Sequence, residues 1–359
     1  MSRFICDILI FGVLQLTLWG GLVAGFYRPN VVNPIMTAVN VKHDRLASAP
    51  PPRVIFVGGS NVLYGIDGAT ARAASGREPV NMGLIAGLRL NYMLAEVEPS
   101  VRAGDVVVLA LEPRQVMRAF EGGRSATVLA QVLEQRPGNV AFLEWGHVKE
   151  LMDHGIVPQA GFAVQQATRR LTRTLRGKPA PTPEPFTLSP YGDLMSHRDK
   201  PMRPNVLKER PLPRRFDLAE LDPAIARMNA FAAHCRARGA EAVFTWCPIP
   251  ATHYARLAKP LARIEAKLHA ELAMEVIGRP GDFAFPDADF FDSAFHLGST
   301  QAIVQRTQRI ADALQLPRPA ATPPPGNNPQ PPPSSPAPPT RSSVEPTPQP
   351  AMLLQPIPR

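Results

Sequence analysis

The distribution of apolar residues divides the chain into three parts. Residues 8–26 form an uncharged apolar run, residues 53–316 alternate short apolar and amphipathic segments, and residues 317–359 hold few apolar side chains. As a helix, the first run would span roughly 28 Å, close to the thickness of a bilayer core. We therefore predict a signal anchor over residues 1–30, a linker over 31–52, a folded domain over 53–316 and a disordered Pro-rich tail over 317–359.

Within the predicted domain, apolar segments that read as strands alternate with segments that read as helices. The strand candidates are residues 54–57, 79–81, 105–111, 242–247 and 274–277. They are short and mostly without strict alternation, which is typical of parallel strands covered on both faces. Helices are expected at residues 90–97, 223–238, 255–273 and 299–314, with Asp222 as the N-cap of the second. This alternation predicts an α/β fold with a three-layer, mostly parallel sheet flanked by helices.

Two segments interrupt the alternation, and we assign both to the same domain. Residues 121–176 have amphipathic helical periodicity and are predicted to form a helical insertion. Residues 177–215 are rich in proline and basic residues and are predicted to form a long loop or lid.

Composition narrows the range of functions. The net charge of +9 favours anionic surfaces such as lipid headgroups. The chain has no zinc-finger spacing, no basic helix with heptads and no RNP-like aromatic motif, so we expect no nucleic-acid partner. Its three cysteines form no CxxC pair, so we expect no metal centre or disulfide framework, and no cofactor.

One serine occupies a position that suggests catalysis. Ser60 follows the predicted strand 54–57 through Gly58 and Gly59, at the strand end where open α/β sheets bind ligands. A nucleophilic serine needs a general base and a carboxylate that orients this base. Asp292 and His296, in "FFDSAFH" (290–296), follow the last predicted strand and complete the order Ser…Asp…His. The alternative is that Ser60 is a turn or cap residue and His296 a core histidine.

An acyl-transfer site also needs donors for the oxyanion. The segment "NMGLIAG" (81–87) offers Asn81, Gly83 and Gly87, and Asn61 lies directly after the candidate nucleophile. We predict that donors from this group line the site.

Three segments together resemble the SGNH (GDSL-like) hydrolase superfamily. They are "VIFVGGSNVLYGID" (54–67), "VNMGLIAGLRLNYMLAEVEPSVRAGDVVVLALEP" (80–113) and "FFDSAFHLGSTQA" (290–302). The resemblance is to a membrane-anchored branch, near the D-alanine transfer protein of lipoteichoic acid synthesis and the polysaccharide O-acetylation proteins. It implies that Ser60, Asp292 and His296 are catalytic and that a glycine N–H serves the oxyanion.

The resemblance also implies a location and partners. It places the domain outside the cytoplasm (periplasmic) on a single-pass anchor in the inner membrane, although the charges flanking the anchor slightly favour a cytoplasmic body. The expected activity is that of an esterase or O-acyltransferase on an acylated glycan or cell-envelope polymer, with a membrane-bound O-acyltransferase as a possible partner.

The sequence departs from this superfamily at three points. Gly59 stands where an aspartate is usual, Asp292 and His296 are one residue further apart than usual, and "LEPRQ" (111–115) lacks the usual asparagine. These departures leave open a second hypothesis, in which the domain is a weak or inactive SGNH scaffold that binds or assembles components of an envelope polysaccharide system.

Overall fold

A computed structural model describes residues 2–27, 34–117, 124–179, 186–208 and 217–315 of the 359-residue chain. The predicted tail over 317–359 lies outside these residues. So do parts of the predicted loop, at 180–185 and 209–215, of the predicted anchor, at 1 and 28–30, of the predicted linker, at 31–33, and of the predicted insertion, at 121–123.

Five parallel strands form the central sheet. They are β1 (Arg53–Gly58), β2 (Glu78–Asn81), β3 (Val106–Leu111), β4 (Glu241–Trp246) and β6 (Glu275–Ile277). Strands β1 and β3 are buried along their whole length. Two short strands, β5 (Ile249–Pro250) and β7 (Ala284–Phe285), pair in parallel beside it. Each predicted strand is present within one residue of its predicted ends, which confirms the α/β class with a parallel sheet.

The strand order is β2-β1-β3-β4-β6. From β1 the chain moves to one edge of the sheet, and from β3 it moves toward the other edge. The carboxyl ends of β1 and β3 therefore flank the point where the winding direction reverses, which is where open α/β sheets form their ligand crevice.

Helices flank this sheet. The described residues contain twelve α-helices: α1 (Ser2–Phe26), α2 (Ala38–Ser48), α3 (Ser60–Gly65), α4 (Gly68–Ser75), α5 (Leu90–Val97), α6 (Pro113–Val116), α7 (Arg124–Gln135), α8 (Trp145–Glu150), α9 (Ile156–Leu175), α10 (Asp222–Ala237), α11 (Ala251–Glu271) and α12 (Thr300–Gln315). Helix α4 packs against α12, and α10 packs against α5 and β4.

Three of the four predicted helices have ends that differ from the observed ones, by one residue in α10 and α12 and by up to four in α11. Helix α11 begins four residues before the predicted start, because its first turn carries no apolar periodicity to reveal it. Asp222 is the first residue of α10 and not its N-cap. A short 3₁₀ turn capped by Asp217 runs directly into this helix.

The predicted linker over 31–52 is replaced by a core element. Residues 38–48 form helix α2, and its side chains Val39 and Leu46 are buried in the main hydrophobic core. The polar residues of this helix made the segment read as solvent-exposed in the sequence. In the structure Lys42 and His43 are buried, and each has hydrogen-bond partners. The segment predicted as a linker therefore contains a helix that packs into the main core.

A buried ion pair fixes the amino-terminal ends of β1 and β3. Nε of Arg53 lies 3.0 Å from Oδ1 of Asp105, and its Nη2 lies 2.5 Å from Oδ2. Both side chains are fully buried, and Arg53 also donates to the carbonyl oxygens of Leu46 and Ser100. This network connects helix α2 to the sheet and fixes the starts of β1 and β3 relative to each other. The candidate site lies at the opposite, carboxyl ends of these two strands.

Candidate active site

Ser60 lies where the sequence predicts, at the carboxyl end of β1 and at the first residue of α3. The two residues before it are glycines because there is no room for a Cβ atom at either position. A Cβ on Gly58 would stand 2.3 Å from the carbonyl oxygen of Ala110, and one on Gly59 would stand 2.9 Å from Cα of Ala86. Neither glycine has a positive φ, so close backbone packing, and not a special turn, explains the Gly-Gly pair. An aspartate at position 59 would not fit this backbone.

Glu112 is the direct partner of the candidate nucleophile. Its Oε1 accepts hydrogen bonds from Oγ of Ser60 at 3.4 Å and from the backbone N–H of Asn61 at 3.3 Å. Glu112 follows β3, so these contacts cross the point where the winding of the sheet reverses. Burial raises the pKa of Glu112 above its ordinary value, although the charge of His296 and the hydrogen bonds from Asn61 and Ser60 act in the other direction.

Asp292 and His296 form the pair that the sequence predicts. Nδ1 of His296 lies 2.7 Å from Oδ1 of Asp292, and both side chains are only partly exposed. Burial acts to raise the pKa of Asp292, but the hydrogen bond from His296 and the charges of His296 and Arg203 hold it below its ordinary value. Asp292 is therefore ionised at neutral pH and holds a proton on Nδ1, which leaves Nε2 as the basic nitrogen.

Tyr64 joins the histidine to the helix that carries the serine. Its ring stacks on the ring of His296 with centroids 4.1 Å apart and planes 8° from parallel. Because Tyr64 stands four residues after Ser60 in α3, one helical turn separates the two side chains. Sequence reasoning overlooked Tyr64, although its spacing from Ser60 places it on the same side of the helix.

Among the described residues, no hydrogen bond joins Ser60 to His296 directly. The Ser60 hydroxyl donates to Glu112, and the ring of His296 bonds Asp292. The charge of His296 acts to lower the pKa of Glu112, which accepts the hydrogen bond from Ser60.

Asn61 is held by the scaffold. Its Nδ2 donates to the carbonyl oxygen of Ala110 at 3.0 Å and contacts Oε1 of Glu112 at 3.5 Å. Its Oδ1 and its carbonyl oxygen both accept hydrogen bonds from the buried guanidinium of Arg306. The donors of Asn61 are thus engaged inside the protein, and its oxyanion role stays a prediction.

Asn81 and Gly83 belong to a second buried network. Nδ2 of Asn81 donates to the carbonyl oxygen of Val62 and to Oδ1 of Asp193, and the N–H of Gly83 donates to Oδ1 of Asn81 at 2.9 Å. Nζ of Lys42 completes the network at 2.6 Å from the Asn81 carbonyl oxygen. These donors all have acceptors within the fold, which gives Asn81 and Gly83 a structural role, and their oxyanion roles stay predictions.

Gly87 lies in a different position from Asn81 and Gly83. It is the middle residue of a 3₁₀ turn over Ala86–Leu88, and this turn touches the backbone just before Ser60 through Ala86. Its oxyanion role stays a prediction.

His197, in the predicted loop, is buried beneath the site. Its Nε2 lies 3.0 Å from the carbonyl oxygens of Tyr64 and Leu297, and its ring meets the ring of Tyr64 edge-on. Because both partners are acceptors, Nε2 carries the proton. Burial lowers the pKa of His197 to about 4, although these two hydrogen bonds oppose the shift. His197 is thus a neutral support for Tyr64.

The described residues include no cluster of three or more His, Cys, Asp or Glu side chains that could hold a metal ion. They include one helix, at Arg3–Phe26, that is long and apolar enough to cross a membrane by length and composition. No protein-family model, no curated protein and no solved structure matches the chain.

Proposed function

We propose that the chain is a membrane-anchored serine esterase or O-acyltransferase of the SGNH type. In this proposal Ser60 is the nucleophile, His296 the general base and Asp292 the residue that orients it. The observation that supports it most is the meeting of two distant segments. His296, which contacts Asp292, stacks on the ring of Tyr64, one turn after Ser60 in helix α3.

The proposed reaction uses Nε2 of His296 as the base, because Nδ1 is hydrogen-bonded to Asp292. Oγ of Ser60 attacks an ester carbonyl while its proton passes to Nε2 of His296. The C–O bond to the leaving alcohol then breaks, and His296 returns the proton to the departing oxygen. Water or a sugar hydroxyl next attacks the acyl-serine by the same proton route, giving hydrolysis or transfer.

This route needs the Ser60 hydroxyl to turn from Glu112 toward His296. A serine hydroxyl on a partly exposed side chain changes rotamer on the picosecond to nanosecond timescale, so the turn is not a barrier. Catalytic hydrogen bonds also commonly form only when substrate is bound.

For the substrate we propose an acylated glycan or envelope polymer, reached by a domain outside the cytoplasm. The long apolar helix α1 supports a membrane anchor. A pair of reporters fused after residue 316 tests the side: we expect activity from alkaline phosphatase and none from a reporter that works only in the cytoplasm. The reverse pattern would contradict the location.

Covalent labelling tests the nucleophile. A fluorophosphonate probe should label the wild-type chain and fail to label Ser60→Ala. Ser293→Ala is the matched control, because it removes a serine beside Asp292 and should retain labelling. An unlabelled wild-type chain would refute the proposed enzyme.

The contact between Ser60 and Glu112 favours a second candidate function. A hydroxyl bound to a carboxyl group is not poised for attack, as expected if the fold binds acylated glycans without cleaving them. In that case an unlabelled wild-type chain would still bind an acetylated oligosaccharide in calorimetry, and Ser60→Ala would bind it equally well.

A further inference from the structure

The exposed apolar part of α1 ends before the helix does. Every Phe, Ile, Leu, Val and Trp side chain from Phe4 to Trp19 is exposed. This stretch is roughly 24 Å long as a helix, which crosses most of a bilayer core. Trp19 ends it with a residue type that is enriched at membrane–water interfaces.

Helix α9 of the insertion covers the last turns of α1. Its buried residues Ala163 and Ala167 form an apolar cluster with Tyr27, and the α1 side chains that pack on this cluster are Leu22, Val23 and Phe26. Oη of Tyr27 donates to Oε2 of Glu134 in α7 at 3.2 Å, and Nε2 of Gln159 in α9 contacts both atoms. The contact begins where the exposed stretch of α1 ends, so an α1 that crosses a bilayer holds α9 at the membrane surface.

The carboxyl end of α9 is strongly basic. Residues 169–178 read "RRLTRTLRGK", with four arginines and one lysine, and no acidic residue occurs between Asp153 and Glu184. Within the part of the chain that the structure describes, none of these five cations forms an ion pair. Arg169 lies about 3 Å and Arg176 about 14 Å beyond Ala167 along the helix axis. The basic end is therefore held close to the contact with α1.

We propose that this basic end of α9 binds anionic phospholipid headgroups beside α1, chiefly through Arg169, Arg173 and Arg176. These three exposed arginines recur at intervals that place them on one side of the helix. Guanidinium groups donate in pairs to phosphate oxygens, and Leu175, which is 78% exposed, adds an apolar side chain for the acyl boundary. The proposal rests on the membrane anchor of the proposed function and not on its serine chemistry.

Binding at α9 also sets the orientation of the candidate site. Helix α7 packs against α9 and against the 3₁₀ turn over Ala86–Leu88. Ala86 of this turn touches the backbone just before Ser60. The insertion therefore connects the lipid contact to the site and directs the site relative to the membrane.

Fluorescence from one labelled position in the full-length chain tests the proposal. In a Cys6→Ser background, Leu175→Cys supplies an exposed thiol, while Cys235 and Cys247 are buried. An environment-sensitive NBD label there should emit at shorter wavelength in phosphatidylcholine vesicles with about one third phosphatidylglycerol than in phosphatidylcholine alone. Salt at about 0.5 M should remove this shift by screening the headgroup charge. Equal emission in the two lipids, as expected if a protein were the partner, would overturn the proposal.

Matched variants separate these positions from net charge. Changing Arg169, Arg173 and Arg176 together to glutamine should abolish the shift, and changing them to lysine should preserve it. The control removes the same charge from three exposed positions of α11, by the changes Arg256→Gln, Lys259→Gln and Arg263→Gln. This control should keep the shift. An equal loss in the control would overturn the proposal, because net charge alone would then explain the effect.

Flotation separates failure of headgroup binding from failure of the anchor. A chain that floats with phosphatidylcholine vesicles but shows no lipid-dependent shift keeps the anchor and overturns only the binding by α9. A chain that floats with neither kind of vesicle has no anchor, which overturns both. None of these measurements requires esterase activity, so their outcome is independent of the catalytic role proposed for Ser60.

Discussion

The hydroxyl of Ser60 donates to Oε1 of Glu112 across the gap between the ends of β1 and β3. The protonation state of Glu112 therefore determines whether a neutral or a negatively charged carboxyl group lies beside the proposed nucleophile. A neutral carboxyl leaves the serine available, whereas a carboxylate retains the hydroxyl and opposes the negative oxyanion. At about 4 Å and an effective dielectric constant of 20, such repulsion amounts to about 4 kcal/mol.

We therefore predict that Glu112→Gln broadens the pH range of activity on the alkaline side. Burial raises the pKa of Glu112, so the group is neutral below that pKa and ionises as the pH rises through it. The wild-type kcat/KM should decline over that rise, while the glutamine variant should lose this decline. Superimposable pH–rate profiles of the two proteins would show that Glu112 does not control the serine.

Asp292→Asn should lower kcat strongly while the protein remains folded. The amide cannot hold the proton on Nδ1 of His296 as a carboxylate does, so the basic Nε2 is lost in part of the population. We expect a decrease of about 10²- to 10⁴-fold, measured by ester hydrolysis and by the rate of probe labelling. Asp289→Asn, in the same loop, is the control. A decrease below about twofold in Asp292→Asn would remove Asp292 from the catalytic set.

Asn81→Ala should affect stability and leave chemistry largely intact. The substitution removes the acceptor of the Gly83 N–H and leaves Asp193 and the Val62 carbonyl oxygen without their Asn81 donor. Such buried losses cost about 1–3 kcal/mol each, so a decrease of a few kcal/mol in the free energy of unfolding is expected from urea titration. A stable variant with a large loss of kcat would instead support the predicted oxyanion role of Asn81.

His197 should make the fold sensitive to mild acid. Its pKa is about 4 in the folded chain and about 6.5 when unfolded, so the unfolded chain binds the proton more readily. The stabilising contribution is complete above pH 6.5 and is lost as the pH falls from 6.5 toward 4, by about 3 kcal/mol in all.

His197→Gln keeps a donor for the two carbonyl oxygens and removes this titration. Its free energy of unfolding should vary less than that of the wild type between pH 6.5 and 4, as followed by urea denaturation at several pH values. Equal slopes for the two proteins would contradict the assignment.

The sequence identified the sheet and the Asp292–His296 pair because both have local signals. Buried parallel strands are short apolar runs, and two side chains four residues apart in one loop can meet without help from the rest of the fold. Helix α2 escaped prediction because its buried Lys42 and His43 look like surface residues until their partners, far away in sequence, are known.

The same limit applies to the oxyanion candidates. Asn61 and Asn81 carry hydrogen-bond donors and lie near the carboxyl ends of β1 and β2. Their side chains are nevertheless hydrogen-bonded to residues that are distant in the sequence. Arg306 and Asp193 can be paired with them only when the tertiary structure is known. Glu112 could be noted in the sequence as a substitute for an asparagine, but its contact with Ser60 depends on β1 and β3 being adjacent in the sheet.

The guanidinium of Arg306 and the residue after the nucleophile, Asn61, are 245 positions apart in the chain. Ser60 therefore leaves the ribosome long before α12, the helix that carries Arg306, has been made, and its proposed base His296 is made almost as late. A nascent or truncated chain that ends before α12 holds the serine without its surroundings. The acyl chemistry that we propose would therefore be withheld during synthesis and become available only when α12 docks.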